Sequence, residues 1–385
     1  MARKLFFILL LIFVTGCTSQ QRSTTSTTIK LKSLPNWSLA LEKYDPELLK
    51  QLIDQGERQK ILNFMIISLN LIDQQQYQLA KLILKDTVLE IESLYGIQDS
   101  SIAQRKKLFT EAKKARSSFY RESIKYFRGE PYERMMAYYY LGLLNLRENN
   151  FELAYASFKN GLLQDAIAEE QQYQADFKVL EALAYWTAIK MKAQSLAEIH
   201  AKALSKTQLM SLQEPHLLVL EIGQAPQKIQ KGKYRELLAF SCKNKLTGTI
   251  TTLLKPYNTR ILKMGNLCYQ AMTRGGRYVD GILASQVVWK DTWATRQKKA
   301  WKQISQHRMG SMNALVQAKT MRKSIYPEAD IRSWNNIPQH IYIGTTTSTT
   351  ANGLKMANNM LGFNKEINLK PMSHKNQSMI SWSRL

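Results

Sequence analysis

The chain has 385 residues, 54 Lys+Arg against 30 Asp+Glu, and a formal net charge of +24 at pH 7. That length suffices for a sizeable core and suggests two or three domains. A hydrophobic content of 44% with 10% aromatics excludes wholesale disorder, 17 Gly and 9 Pro exclude a collagen-like chain, and three Cys cannot build a disulfide scaffold.

Arg3 and Lys4 make a short positive start, and Leu5 to Val14 is an unbroken apolar run. The run is too short to cross a hydrocarbon core of roughly 30 Å as a helix, and fits the middle of a secretory signal. Val14-Thr15-Gly16-Cys17 resembles a bacterial lipobox, an aliphatic residue and two small ones before an obligatory cysteine. The resemblance implies that residues 1–16 are a lipoprotein signal peptide, cleaved after Gly16, and that Cys17 is acylated. An ordinary signal with an incidental cysteine is the other reading. Several acyl chains anchor firmly, since each buried CH2 contributes roughly 0.8 kcal/mol. Thr18, where Asp commonly signals inner-membrane retention, favours the outer membrane by the same resemblance. Residues 17–35 comprise the lipidated Cys17 and a Ser/Thr/Gln-rich tether, whose random-coil span is on the order of 25 Å.

Residues 36–221 read as helical, with few Gly or Pro and apolar positions at three- and four-residue spacing, as in Leu48, Leu49, Leu52 and Ile53. Asp45-Pro46-Glu47 fits an N-cap with Pro in the first turn. Tyr138, Leu141 and Gly142, followed by Phe151, Ala154, Phe158 and Gly161, have the spacing of a tetratricopeptide-like helical hairpin. Gly142 and Ala154 would let two helix backbones approach, and Arg147 to Asn150 supply the turn. Phe64, Ile67 and Ser68, then Tyr77, Ala80, Leu84 and Thr87, repeat the spacing 74 residues earlier. A generic helical bundle is the alternative to a stacked array. Such arrays commonly hold other polypeptides, so an envelope protein partner is expected.

The charge balance shifts near Gly223. Residues 18–221 carry 26 basic and 24 acidic side chains, whereas residues 222–385 carry 26 and 6. Strand signals enter there, at Thr249–Leu254, Leu267–Thr273, Val279–Leu283 and Gln339–Ile343. One long helix from about Asp291 to Lys323, capped by Asp291, would carry Arg296, Lys298, Lys299, Lys302, Arg308, Lys319, Arg322 and Lys323 beside Trp293 and Trp301. The expected fold class is thus a mostly α helical-hairpin array followed by a small basic α+β domain at 222–344, with 345–385 a loosely ordered tail. The basic half suits an anionic envelope polymer or lipid surface. Nucleic acid would also match the charge, but export argues against it.

Three further segments carry a resemblance. Glu221-Ile222-Gly223-Gln224-Ala225-Pro226-Gln227-Lys228 matches E-x-G-x-A-P-x-K, and Arg332 to Ile341 matches R-x-W-x-x-[LI]-P-x-x-I. Gly129-Glu130-Pro131-Tyr132-Glu133-Arg134 precedes the better repeat. In this order, behind a lipobox, they resemble a poorly characterised family of bacterial tetratricopeptide-like lipoproteins with a C-terminal β-containing domain. The family implies architecture and envelope location, and supplies no reaction, cofactor or catalytic residue.

Read as structure, Gly223 allows a turn and Pro226 ends the helical half, while Trp334 and Pro338 anchor a turn with Arg332 stacked on the indole. Arg332 and Trp334, with Lys298, Lys299 and Lys302, are the candidate partner-binding residues. The five histidines have no metal-ligand spacing, and no nucleophile elbow or phosphate loop occurs, so neither metal, cofactor nor enzyme activity is expected. Cys242 and Cys268 are either a disulfide or two buried thiols. The expected function is a membrane-anchored, non-enzymatic scaffold or assembly factor, with a glycopolymer- or anionic-lipid-binding lipoprotein as the alternative.

Overall fold

The computed structural model describes residues 36–54, 56–95, 126–166, 177–242, 260–272, 281–306, 311–347, 354–356, 367–371 and 380–384. Cys17, the tether and the expected strand Thr249–Leu254 lie outside the described residues. The fold is mostly helical, with a small mixed sheet.

The helices come first and form antiparallel pairs. After α1 (Asn36–Tyr44) and α2 (Pro46–Asp54), α3 (Lys60–Asp73) pairs with α4 (Tyr77–Tyr95), α5 (Pro131–Arg147) with α6 (Phe151–Ala166), and α7 (Lys178–Lys190) with α8 (Gln194–Ala201); the short α9 is Lys206–Met210. Asp45 caps α2, its Oδ1 accepting the Leu48 N–H at 2.9 Å. One turn joins each pair. Gln75, Asn149 and Lys192 stand at positive φ of 63°, 59° and 59°. The next residue's N–H closes each turn onto the carbonyl five residues back: Gln76 to Leu71 at 2.8 Å, Asn150 to Asn145 at 3.0 Å, Ala193 to Ala188 at 3.0 Å. A polar residue accepts the left-handed conformation in all three turns, where Gly is the usual choice.

The close approach expected at Gly142 is present: a Cβ there would lie 2.2 Å from Phe158 Cε1. Ala154 and Phe158 are fully buried beside it.

Strand β1 (His216–Ile222) is buried along its whole length. It lies inside a sheet ordered β4-β5-β1-β8-β7-β6, with β4 Arg260–Asn266, β5 His340–Thr346, β6 Leu354–Met356, β7 Ile367–Pro371 and β8 Ile380–Arg384. β1 runs antiparallel to β5 and parallel to β8, with Val219 opposite Ile343 on one side and Trp382 on the other. Alternation then puts Leu217, Val219, Ile341, Ile343, Ile380 and Trp382 on one face, and these join the helical core in a single cluster that begins at Leu41. A separate hairpin of β2 (Gln227–Lys231) and β3 (Leu237–Ser241) follows β1. Among the described residues two further helices follow, α11 (Gly281–Ser305) and α12 (Ser311–Ser324), beside the short α10 (Leu267–Met272).

Several expectations need correction. Leu267–Met272 is helix and not strand, because β4 ends at Asn266, whose Oδ1 accepts the Tyr269 N–H at 3.3 Å and starts a helical turn. Gly281–Leu283 opens α11, so the expected strand at 279–283 is helical where it is described. The single long basic helix is two antiparallel helices, and Asp291 sits inside the first of them instead of capping it. Helix gives way to strand at His216, before the expected boundary at 221/222. The segment expected to be a loose tail contributes three strands, two of them inside the sheet; its alternation is too short to stand out in the sequence.

Cys242 and Cys268 form a disulfide that joins the end of β3 to α10 across a separation of 26 residues. Chain-entropy reasoning gives such a loop about 3.5 kcal/mol. The double variant Cys242→Ser/Cys268→Ser should lose about 2–4 kcal/mol in denaturant unfolding. A loss under half a kcal/mol would mean that the β3–α10 contact is held without the bond.

Candidate functional site

The three motif segments meet inside the protein, on the seam between helices and sheet. Glu133, in the first turn of α5, is fully buried. Its Oε2 accepts from Lys228 Nζ at 2.9 Å and from the Glu130 N–H at 2.7 Å, and its Oε1 accepts the Trp334 N–H at 2.7 Å. Lys228 also donates to the Arg332 carbonyl at 2.9 Å. One carboxylate therefore binds a residue from each of the three segments. Burial opposes the Lys228 charge, but Glu133 and Glu130 outweigh it and hold its pKa above the usual lysine value.

A second carboxylate lies on the helix-facing side of β1. Glu221 is 1% exposed and receives four donors: Tyr139 Oη and Tyr140 Oη at 2.9 Å each, Trp382 Nε1 at 2.9 Å and Arg384 Nε at 3.0 Å. Arg384 continues to Asp73 Oδ1 at 2.5 Å and to the Asn336 carbonyl at 2.6 Å. Burial raises the Glu221 pKa, with Arg384 and the three other donors acting against it. The same burial, reinforced by Glu221, lifts both tyrosine hydroxyls well above their usual value, so they stay protonated donors.

The sequence candidates separate in space. Trp334 is 1% exposed, with its ring 5.7 Å from Tyr140, and so belongs to the core. Arg332 does not stack on that indole; its guanidinium lies over Phe127 at 5.8 Å and grips Asp330, with Nη2 2.6 Å from Oδ2. Lys298, Lys299 and Lys302 are exposed on α11, remote in sequence from this seam. What the motif residues build is an internal polar joint.

Sequence reasoning missed a second buried relay. His200 Nδ1 is 2.6 Å from Glu181 Oε2, and its Nε2 is 3.0 Å from the Tyr155 hydroxyl. A histidine between a carboxylate and a hydroxyl can move a proton. Here the three side chains come from α7, α8 and α6, and tie those helices together. Burial, then Glu181, raises the Tyr155 pKa, which disfavours a phenolate nucleophile. His340, on β5, is also buried, and its pKa is pushed down to about 4 by burial and then by Lys263. Among the described residues no three His, Cys, Asp or Glu side chains gather to hold a metal.

The exposed chemistry lies on the α11–α12 hairpin, whose small core of Trp293, Ala318 and Ile325 is separate from the main one. Asp291 fastens it to the β2–β3 turn, accepting from Lys233 Nζ at 2.5 Å and Tyr234 Oη at 2.6 Å. Arg322 Nη1 bonds Gln297 Oε1 across the hairpin at 3.2 Å. Beside the fastening is an open cleft of about 430 Å³, lined by Lys233, Tyr234, Ala294, Gln297, Lys298, Trp301, Leu315 and Arg322.

Glu221→Gln keeps shape but replaces one acceptor oxygen with an amide that cannot accept from Arg384. Removing one partner of a buried ion pair should cost about 3 kcal/mol or more, read as a lower denaturation midpoint with an unchanged slope. An effect below 1 kcal/mol would show that the joint does not hold the two layers. Glu221 and His340 oppose one another with pH. With its folded pKa raised, Glu221 gives stability that is present below about pH 4.5 and is lost as pH rises through the folded value. With its folded pKa lowered, His340 gives stability that is present above about pH 6.5 and is lost as pH falls toward 4. His340→Gln should remove the gain in stability that His340 gives as pH rises between those values, lowering the slope there; an unchanged slope would mean that His340 is not held neutral.

Comparison with protein-family models, with curated proteins and with solved structures finds no match.

Proposed function

We propose that this chain is a lipid-anchored lipoprotein of the bacterial envelope, held on the outer membrane through acylated Cys17. In this reading it is a non-enzymatic scaffold or assembly factor of the tetratricopeptide-like family that its motifs resemble, and its helical hairpins hold a protein partner. The observation that carries the reading is the use of the motif residues: Glu133 binds Lys228 and Trp334 in the interior, and Glu221 binds tyrosines of α5 and side chains of β8, so the motifs join the helices to the sheet. Three hairpins closed by the same turn support a repeat-like array. Leu153 and Ile199, 52% and 57% exposed, flank the Tyr155–His200 contact and offer apolar surface on that array. The Cys242–Cys268 bond fits an exported protein, since the cytosol keeps thiols reduced.

A second reading, binding of an anionic glycopolymer or lipid through the basic half, is favoured by the α11–α12 hairpin. It carries eight described Lys and Arg side chains against the single acid Asp291, and shares no core with the rest of the body.

Photo-crosslinking from positions 153 and 199 in intact cells should give one discrete protein adduct. Only diffuse adducts from both positions would overturn the scaffold. Cys17→Ser should abolish fatty-acid labelling and leave the membrane pellet; a labelled, pelleted variant would overturn the anchor.

A further inference from the structure

The cleft beside the hairpin brings together cations and aromatic rings, some of them already engaged in the fastening at Asp291 and others open to solvent. Ala294, Lys298 and Trp301 stand at i, i+4 and i+7 on α11, and so form one stripe of that helix. Leu315 and Arg322 of α12 form the opposite wall, and Lys233 and Tyr234 of the β2–β3 turn close one end. Trp301 is 63% exposed although it sits on an ordered helix. The Lys298 ammonium has no hydrogen-bond or ion-pair partner among the described residues. Three cations thus face a space with two aromatic rings and two small apolar contacts. Two carboxylates nearby, Asp291, engaged by Lys233 and Tyr234, and Glu236, which accepts the Tyr234 N–H, do not line the cleft.

This set selects a ligand. Arg322, held in place by Gln297, presents a planar fork suited to phosphate oxygens, and Lys298 and Lys233 add point charges. The exposed Trp301 indole suits the C–H face of a sugar ring, and half-buried Tyr234 closes the same end of the cleft as Lys233. A volume of about 430 Å³ is in the range of small-molecule sites, and is large for a bare phosphate ion. We propose that the cleft between α11, α12 and the β2–β3 turn binds a sugar phosphate, recognised through Lys298, Arg322 and Lys233 on the phosphate and through Trp301 and Tyr234 on the ring. The proposal rests on the polyanion-binding reading above and narrows it from a charged face to one site.

The test uses the intact soluble chain without residues 1–17, titrated calorimetrically at low salt with glucose 1-phosphate, glucose, inorganic phosphate and adenosine monophosphate. Glucose 1-phosphate should bind at least tenfold more tightly than the other three. Lys298→Gln/Arg322→Gln should weaken it at least tenfold, and Trp301→Ala should bring it down to the level of inorganic phosphate. Lys299→Gln/Lys319→Gln, on the same hairpin but outside the cleft, should change it less than twofold. All five of these positions are surface-exposed or half-buried, and circular dichroism checks each variant's helix content.

Equal losses from the cleft pair and the outer pair would overturn the cleft and leave a diffuse basic face. Preference for adenosine monophosphate would replace the sugar by a nucleotide. No binding of any phosphate, together with no salt-dependent retention on vesicles of phosphatidylglycerol, would overturn both the site and the polyanion reading.

Discussion

Two carboxylates with almost no exposure to water hold this protein together. Burying an ion costs several kcal/mol even after the surroundings relax, so Glu133 and Glu221 are tolerable only where donors surround them. Those donors come from segments far apart in the chain. Glu221 on β1 takes hydroxyls from α5 and nitrogens from β8, while Glu133 on α5 takes the ammonium of β2 and the backbone of the segment before β5. Apolar contact alone would let the helical layer slide on the sheet, since apolar packing has little direction. The carboxylates define one register, because a shifted layer would leave charges buried without partners.

The rest of the architecture follows from that seam. β1 must be buried on both faces to place Glu221 against α5, which sets it between β5 and β8. α5 must approach α6 closely for its tyrosines to point at the sheet, and Gly142 permits the approach. The α11–α12 hairpin takes no part in the seam. It has its own small core and a polar fastening at Asp291, so its surface was free to become basic without disturbing the joint.

How legible this was depends on how local each signal is. The hairpins at Phe64–Thr87 and Tyr138–Gly161 could be read because helix packing repeats every three or four residues, and the N-cap at Asp45 because capping spans three residues. β1 was read as the end of the helical half, since a strand buried on both faces shows no alternation and Leu-Leu-Val-Leu resembles a helix segment. β8 has only Ile380 and Trp382 to mark it, and its partner lies far away in sequence. The long basic helix was read through its turn because residues with good helix propensity surround the break on both sides. The motifs at 129, 221 and 332 were visible, yet their shared purpose was not, because nothing local says that a glutamate in one will hold a lysine in another.

The position of β8 has a consequence for the order in which the protein forms. Glu221 and Arg384 are 163 residues apart, and the strand that carries Arg384 lies inside the sheet, not at its edge. Chains are made from the N-terminus, so the helical hairpins, built from near neighbours, can close while Glu221 still lacks its cation. Until Arg384 arrives, the favourable arrangement keeps that carboxylate in water and the seam open. The molecule therefore closes like a box, its lid a strand made 163 residues after the carboxylate that it covers.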